Sequence, residues 1–122
     1  MNKPVFLVLL FGLSSFAMAR TAFAHAELVT AEPAADATVR PAPTELDLTF
    51  SDLIEVKFTG VTLIGPDQNS VKTGTETLKD DGRTFTVVLP AALAAGAYKV
   101  HWHTLSADGH KTTGDYTFNV EP

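Results

Sequence analysis

Y-K-V-H-W-H-T-L-S-A-D-G-H, residues 98–110, is the stretch from which the fold can be worked out. Every second residue in its first part is apolar: Tyr98, Val100 and Trp102. Successive side chains of a strand point to opposite faces, so this alternation predicts a half-buried strand. His101 and His103 then lie together on the opposite face of that strand.

The strand runs into a turn at residues 106–110, because Ser, Asp and Gly in close succession favour a turn. Three of the four histidines of the sequence fall within ten residues here, with Asp108 between them. Imidazole nitrogens and a carboxylate in such a group suit a divalent transition metal such as copper or zinc. The pattern therefore indicates either a metal site or a histidine-rich surface.

The beginning of the sequence has the composition of a secretory signal peptide. A positive residue, Lys3, precedes an apolar run over residues 5–16, and Ala22-Phe23-Ala24 fits the small-x-small cleavage rule. A membrane-spanning helix needs about 20 apolar residues, so the run is short for a span. We expect a signal peptide over residues 1–24, with a retained signal anchor as the alternative.

Cleavage after Ala24 makes residues 25–122 the mature protein and His25 its first residue. A second cleavage box at residues 17–19 is the alternative, and its use would leave Arg20 at the front. An N-terminal histidine offers its α-amine and its imidazole to one metal ion, and both lose a proton readily when a metal competes. His25 is therefore a candidate ligand together with the turn.

The composition of the mature chain restricts the metal. Both methionines, Met1 and Met18, lie in the signal peptide, and the sequence has no cysteine. Disulfides, iron–sulfur clusters and a soft Cu(I) site are therefore excluded. Nitrogen and oxygen donors favour Cu(II), Ni(II) or Zn(II), and copper stands highest in the Irving–Williams order.

The charge of the mature chain bears on its partners. Loss of Lys3 and Arg20 leaves seven basic and 14 acidic residues, a net charge of −7 with histidine neutral. Such a chain tends to attract cations and gives no case for nucleic-acid binding.

Alternating segments along residues 25–122 predict one domain of seven to nine short strands. Further inward-facing positions are predicted in four segments: Leu46, Leu48 and Phe50; Ile54, Val56 and Phe58; Phe85, Val87 and Leu89; Tyr116, Phe118 and Val120. Short strands at this spacing are typical of an all-β, antiparallel Greek-key sandwich or barrel. We expect Trp102 in the core of that domain.

Four short motifs together resemble the CopC family of periplasmic copper-binding proteins, in particular its short YobA-like members. They are His25-Ala26-Glu27-Leu28, Glu32-Pro33-Ala34, Trp102-His103-x-x-Ser106-x-Asp108-Gly109-His110-Lys111 and Gly114-x-Tyr116-x-Phe118-x-Val120. The likeness covers essentially the whole mature domain. It implies a cupredoxin-like (immunoglobulin-like) Greek-key β-barrel located in the periplasm.

The resemblance also implies a site for one Cu(II) ion, formed by the α-amine and imidazole of His25, the carboxylate of Asp108 and the imidazole of His110. Some family members carry a second, methionine-rich Cu(I) site, which a mature chain without methionine does not support. His103 is a further candidate, either hydrogen-bonded to a ligand or as a weak additional donor. We expect His101 to be a surface histidine.

The function implied by the resemblance is that of a non-enzymatic protein of copper homeostasis or resistance. It would buffer Cu(II) or deliver it to a CopD-like inner-membrane partner. One alternative is a copper monooxygenase, since lytic polysaccharide monooxygenases also chelate copper through an N-terminal histidine. A carboxylate ligand in the equatorial plane argues against it, because oxygen needs that position. The other alternative is a secreted β-sandwich without metal, in which removal of His25 changes nothing.

Overall fold

A computed structural model describes residues 26–122, which form two β-sheets around one hydrophobic core. Residues 1–25 lie outside the described part of the chain. The expected signal peptide, its cleavage site after Ala24 and the candidate ligand His25 all belong to that segment. No helix within residues 26–122 has the length and apolar character needed to cross a membrane.

Nine strands are present in the described region: β1 (Leu28–Glu32), β2 (Thr38–Val39), β3 (Glu45–Phe50), β4 (Gly60–Ile64), β5 (Ser70–Val71), β6 (Glu76–Leu78), β7 (Thr84–Val88), β8 (Gly96–Leu105) and β9 (Lys111–Val120). One sheet has the order β1-β3-β7-β6 and the other the order β2-β9-β8-β4-β5. The pairing of β2 with β9 is parallel, and the strands are otherwise antiparallel. Neighbours that are distant along the chain are typical of Greek-key sandwiches. The predicted all-β fold with seven to nine strands is confirmed.

The long strand β8 lies inside the five-stranded sheet, between β9 and β4. Its side chains alternate as predicted: Tyr98, Val100 and Trp102 are buried, whereas His101 and His103 are exposed. The inward-facing apolar residues of β3, β7 and β9 belong to the same core: Leu46, Leu48, Phe50, Phe85, Val87, Tyr116, Phe118 and Val120. The apolar residues of these strands thus share the inner face by period-two alternation, while in β7 Thr84 and Thr86 of the other face are buried as well.

Trp102 lies in this core, as the sequence predicted, with 7% of its surface exposed. Its ring meets that of Phe50 edge to face, with the centroids 5.2 Å apart and the planes at 68°, an arrangement that aromatic rings favour. Gly114 lies opposite Trp102 on β9. A β-carbon at Gly114 would stand 2.5 Å from the indole Cζ2, so the glycine makes room for the ring.

The segment between β3 and β4 differs from the prediction of a strand with Ile54, Val56 and Phe58 facing inward. Ile54 is buried and forms an isolated bridge to Ser106, but Val56–Phe58 is a short 3₁₀ turn. The backbone N–H of Phe58 donates to the carbonyl of Glu55 at 3.1 Å and closes this turn. Val56 and Phe58 are consequently 39% and 58% exposed, and the strand prediction is wrong there.

Candidate metal centre

The turn between β8 and β9 carries Asp108 and His110 on a backbone that is closed by two hydrogen bonds. The N–H of Ser106 donates to the carbonyl of His110, and the N–H of Gly109 donates to the carbonyl of Ser106, each at 2.9 Å. Gly109 has a φ of +92°, a value that glycine adopts at low cost. The turn therefore presents its two candidate ligands from a defined backbone.

Asp108 and His110 are in direct contact. The Nδ1 atom of His110 lies 3.1 Å from Oδ1 of Asp108, and the two side chains are 54% and 37% exposed, respectively. The fully buried hydroxyl of Ser106 donates to the same Oδ1 atom. That hydroxyl also accepts the N–H of His110 at 3.2 Å. Ser106 thus links both candidate ligands through one oxygen.

These contacts set the charge of the carboxylate. The hydrogen bond from Ser106, followed by that from His110, holds the pKa of Asp108 below its ordinary value. Hydrogen bonds to a carboxylate favour its ionised form. Asp108 is therefore an anion at neutral pH, the form in which a carboxylate binds a cation.

Replacing Ser106 with alanine is expected to raise the pKa of Asp108 toward its ordinary value, because the largest cause of the lowered pKa is removed. A pH titration of the Asp108 carboxyl by ¹³C NMR, on metal-free protein, measures this change. Ser70→Ala, at an exposed position of β5, is the matched control. An unchanged titration of Asp108 in Ser106→Ala would show that the hydrogen bond from Ser106 is not the cause of the lowered pKa of Asp108.

The N-terminal segment enters the fold near this turn. Ala26 is fully buried, and its carbonyl accepts the hydroxyl of Thr112 at 2.8 Å. Glu27 and Ser51 exchange two hydrogen bonds: the N–H of Glu27 donates to Ser51 Oγ at 2.9 Å, and the N–H of Ser51 donates to the carbonyl of Glu27 at 2.8 Å. Thr112 follows His110 by two residues. The first described residue is thus fixed close to the candidate turn.

His101 and His103 project from the outer face of the five-stranded sheet. Nδ1 of His101 lies 2.5 Å from Oδ1 of Asp115, the residue opposite it on β9. The ring of His103 lies over Gly60, where an added β-carbon would be 2.5 Å from Cε1. Between residues 26 and 122, no three His, Cys, Asp or Glu side chains form a group able to hold a metal. A role of His103 beside the metal stays a prediction.

Sequence reasoning assigned no role to the hydroxyls of Ser106, Ser51 and Thr112. A serine two residues before an aspartate in a turn is a local signal, since short polar side chains hydrogen-bond over such distances. Ser51 and Thr112 contact residues that are 24 and 86 positions away, so no local pattern reveals them.

Comparisons with known proteins identify the family of this chain. The family model described as the CopC domain matches residues 28–121. Protein YobA of Escherichia coli K12 is 41% identical over 100 residues, which cover 81% of each chain. The crystal structure of CopC from Methylosinus trichosporium OB3b matches with a TM-score of 0.74 and 32% identity, covering 80% of this chain and 95% of that one. The structure of PcoC, described as a methionine-rich copper resistance protein from E. coli, matches with a TM-score of 0.71 and 34% identity, covering 80% and 100%.

Proposed function

Since the chain belongs to the CopC domain family, we propose that it is a periplasmic copper-binding protein that holds one Cu(II) ion beside the β8–β9 turn. Some relatives are described as copper resistance proteins, which supports a role in copper homeostasis or resistance. On this proposal the protein buffers copper or passes it to a CopD-like membrane partner.

The proposed ligands are the Asp108 carboxylate, the His110 imidazole, and the α-amine and imidazole of His25. The observation that carries this set is the fixed Asp108–His110 pair, 3.1 Å apart, beside the hydrogen bond that holds Ala26 to Thr112. Consecutive Cα atoms are about 3.8 Å apart. A ligand at position 25 would therefore be attached directly to Ala26, whose carbonyl is held by Thr112. Three nitrogens and one oxygen suit the tetragonal geometry of Cu(II).

We further propose a single Cu(II) site without a Cu(I) site. The relative PcoC is described as methionine rich, whereas this sequence contains no methionine after Met18 and no cysteine. Thioether and thiolate sulfurs are the donors that select Cu(I). A mature chain with nitrogen and oxygen donors alone supports binding of Cu(II).

The location and the partner form part of the same proposal. The signal peptide over residues 1–24 and cleavage after Ala24 would deliver the protein to the periplasm with His25 exposed as its N-terminus. The CopD-like inner-membrane partner rests on the family resemblance. The acidic net charge of the mature chain favours accumulation of cations around it.

The copper monooxygenase alternative receives no support from the tryptophan of this sequence. Trp102 is the only tryptophan of the sequence, and it lies in the core with 7% exposure, where it cannot contact a polymeric substrate. Membership of the CopC domain family, which includes the copper resistance protein PcoC, also supports a binding protein rather than an enzyme.

Replacement of His110 with alanine tests the site. The protein beginning at His25 is expected to bind one equivalent of Cu(II) with a nitrogen-rich tetragonal EPR spectrum. His110→Ala is expected to weaken binding at least about 100-fold, because even partners outside the ligand shell contribute 10–100-fold. His101→Ala is the matched control, since His101 is also an exposed histidine but lies with Asp115 on the outer face. Equal binding by both variants would contradict the site, and no binding by the unmodified protein would favour a β-sandwich without metal.

A further inference from the structure

We propose that Thr112 is a positioning residue for the N-terminal copper ligand: its hydroxyl holds Ala26 so that His25 is presented to His110. The inference rests on the proposed function and assigns a role to a residue outside the motifs that define the family resemblance. Thr112 itself is not a ligand in this proposal, and it acts only through the backbone of Ala26.

The structure places Thr112 where it can have this effect. Its Oγ1 donates to the carbonyl of Ala26 at 2.8 Å, across 86 residues of sequence. Thr112 pairs with the buried Thr104 on β8, so its side chain lies on the inner side of the sheet. Ala26 has no exposed surface, and loss of the hydroxyl would remove this hydrogen-bond partner from its carbonyl.

The distance from Thr112 to the candidate turn is short. Two residues of extended chain span at most about 7 Å, so the backbone of Thr112 lies within that distance of the backbone of His110. The hydrogen bond to Ala26 therefore brings residues 26 and 27, which we call the chain entry, close to His110. Glu27 is held by its two hydrogen bonds with Ser51, the residue that follows β3. The chain entry is thus hydrogen-bonded to both sheets.

Hydrogen bonding of the chain entry should increase copper affinity, because the backbone next to His25 is already ordered before the metal binds. A free N-terminal residue loses backbone freedom when it chelates a metal, and this loss weakens binding. If Ala26 is already held, less freedom remains to be lost on binding. Releasing the backbone of one residue corresponds to about a tenfold change in affinity.

The test uses Thr112→Val in the mature protein that begins at His25. We expect Cu(II) binding to weaken about tenfold, with broader EPR lines from a less uniform site. Thr112→Ser restores the hydroxyl and should restore both the affinity and the spectrum. Thr113→Val is the matched control, because it makes the same change at the exposed neighbouring position of β9. Far-UV circular dichroism verifies that each variant is folded.

A second pair of measurements separates positioning from a general structural effect. When both donors of residue 25 are removed, by His25→Ala together with acetylation of the α-amine, Thr112→Val should have little further effect on residual copper binding, because no positioned donor remains. An equal loss in that doubly changed form and in the unmodified protein would overturn the proposal. In metal-free protein, Thr112→Val should lower the ¹⁵N heteronuclear NOE of Ala26 and Glu27, and unchanged values would also overturn it.

The outcomes distinguish this inference from the proposed function. If the unmodified protein binds Cu(II) and Thr112→Val binds it equally well, only the role of Thr112 is overturned. If the unmodified protein binds no Cu(II), the proposed function fails and the positioning role fails with it.

Discussion

Acetylation of the α-amine of His25 is expected to weaken Cu(II) binding by the mature protein at least about 100-fold. The acetylated nitrogen is an amide, which no longer offers a lone pair to the metal, and the chelate with the His25 imidazole is lost. The remaining donors are that imidazole and the fixed pair of Asp108 and His110. Removing one of the three nitrogen donors should also change the EPR parameters toward an oxygen-richer site.

Acetylation is a sharper change than adding a residue before His25, because an added residue would bring an amine of its own. Affinity is measured by competition with a chelating dye at constant pH. His25→Ala provides the control for the imidazole, and comparison of the two changes separates the two donors of this residue. Equal affinity of the acetylated and unmodified proteins would show that the amine is not a ligand.

Much of the fold could be predicted because the strands that form the core obey period-two alternation. The inward-facing apolar residues of β3, β7, β8 and β9 were predicted correctly from their place at every second position, although Thr84 and Thr86 on the other face of β7 are buried as well. The predicted membership of the CopC family is also confirmed by the family match over residues 28–121. Burial of alternate side chains is a local property, so the sequence reveals it directly.

At Val56–Phe58, alternation of apolar and polar residues does not predict burial. The same alternation of apolar and polar residues occurs there, but a backbone hydrogen bond from Phe58 to Glu55 closes a turn. Apolar side chains on the surface are common in folded proteins, so alternation alone does not prove burial. Nothing in the local pattern distinguishes this segment from β3.

The candidate site could be predicted only in its local part. Asp108 and His110 are two residues apart, so their proximity follows from the turn. The partner of His101 could also have been found, because a hairpin centred on residue 108 pairs position 101 with position 115. The contact of Thr112 with Ala26 joins distant strands and depends on how the sheets pack, which no sequence pattern specifies.

Replacement of Trp102 with alanine is expected to lower the free energy of unfolding by about 3–5 kcal/mol, the typical cost of removing a buried aromatic ring. Trp102 fills the space above Gly114 and contacts the ring of Phe50, so its loss leaves a cavity in the core. Domains of this kind are stable by about 5–15 kcal/mol, so the loss is a large fraction of the total.

Urea denaturation followed by far-UV circular dichroism measures the effect of Trp102→Ala, since the variant has no tryptophan fluorescence. His103→Ala, one position along β8 on the exposed face, is expected to change the free energy of unfolding by no more than about 0.5 kcal/mol. Comparable losses for the two variants would contradict the assignment of β8 faces. Trp102 also borders, with Ala26 and Thr112, the open pocket where the chain enters the fold. We therefore expect the folded fraction of Trp102→Ala to bind Cu(II) more weakly as well, because Trp102 lies beside Ala26 and Thr112, which position the N-terminal ligand.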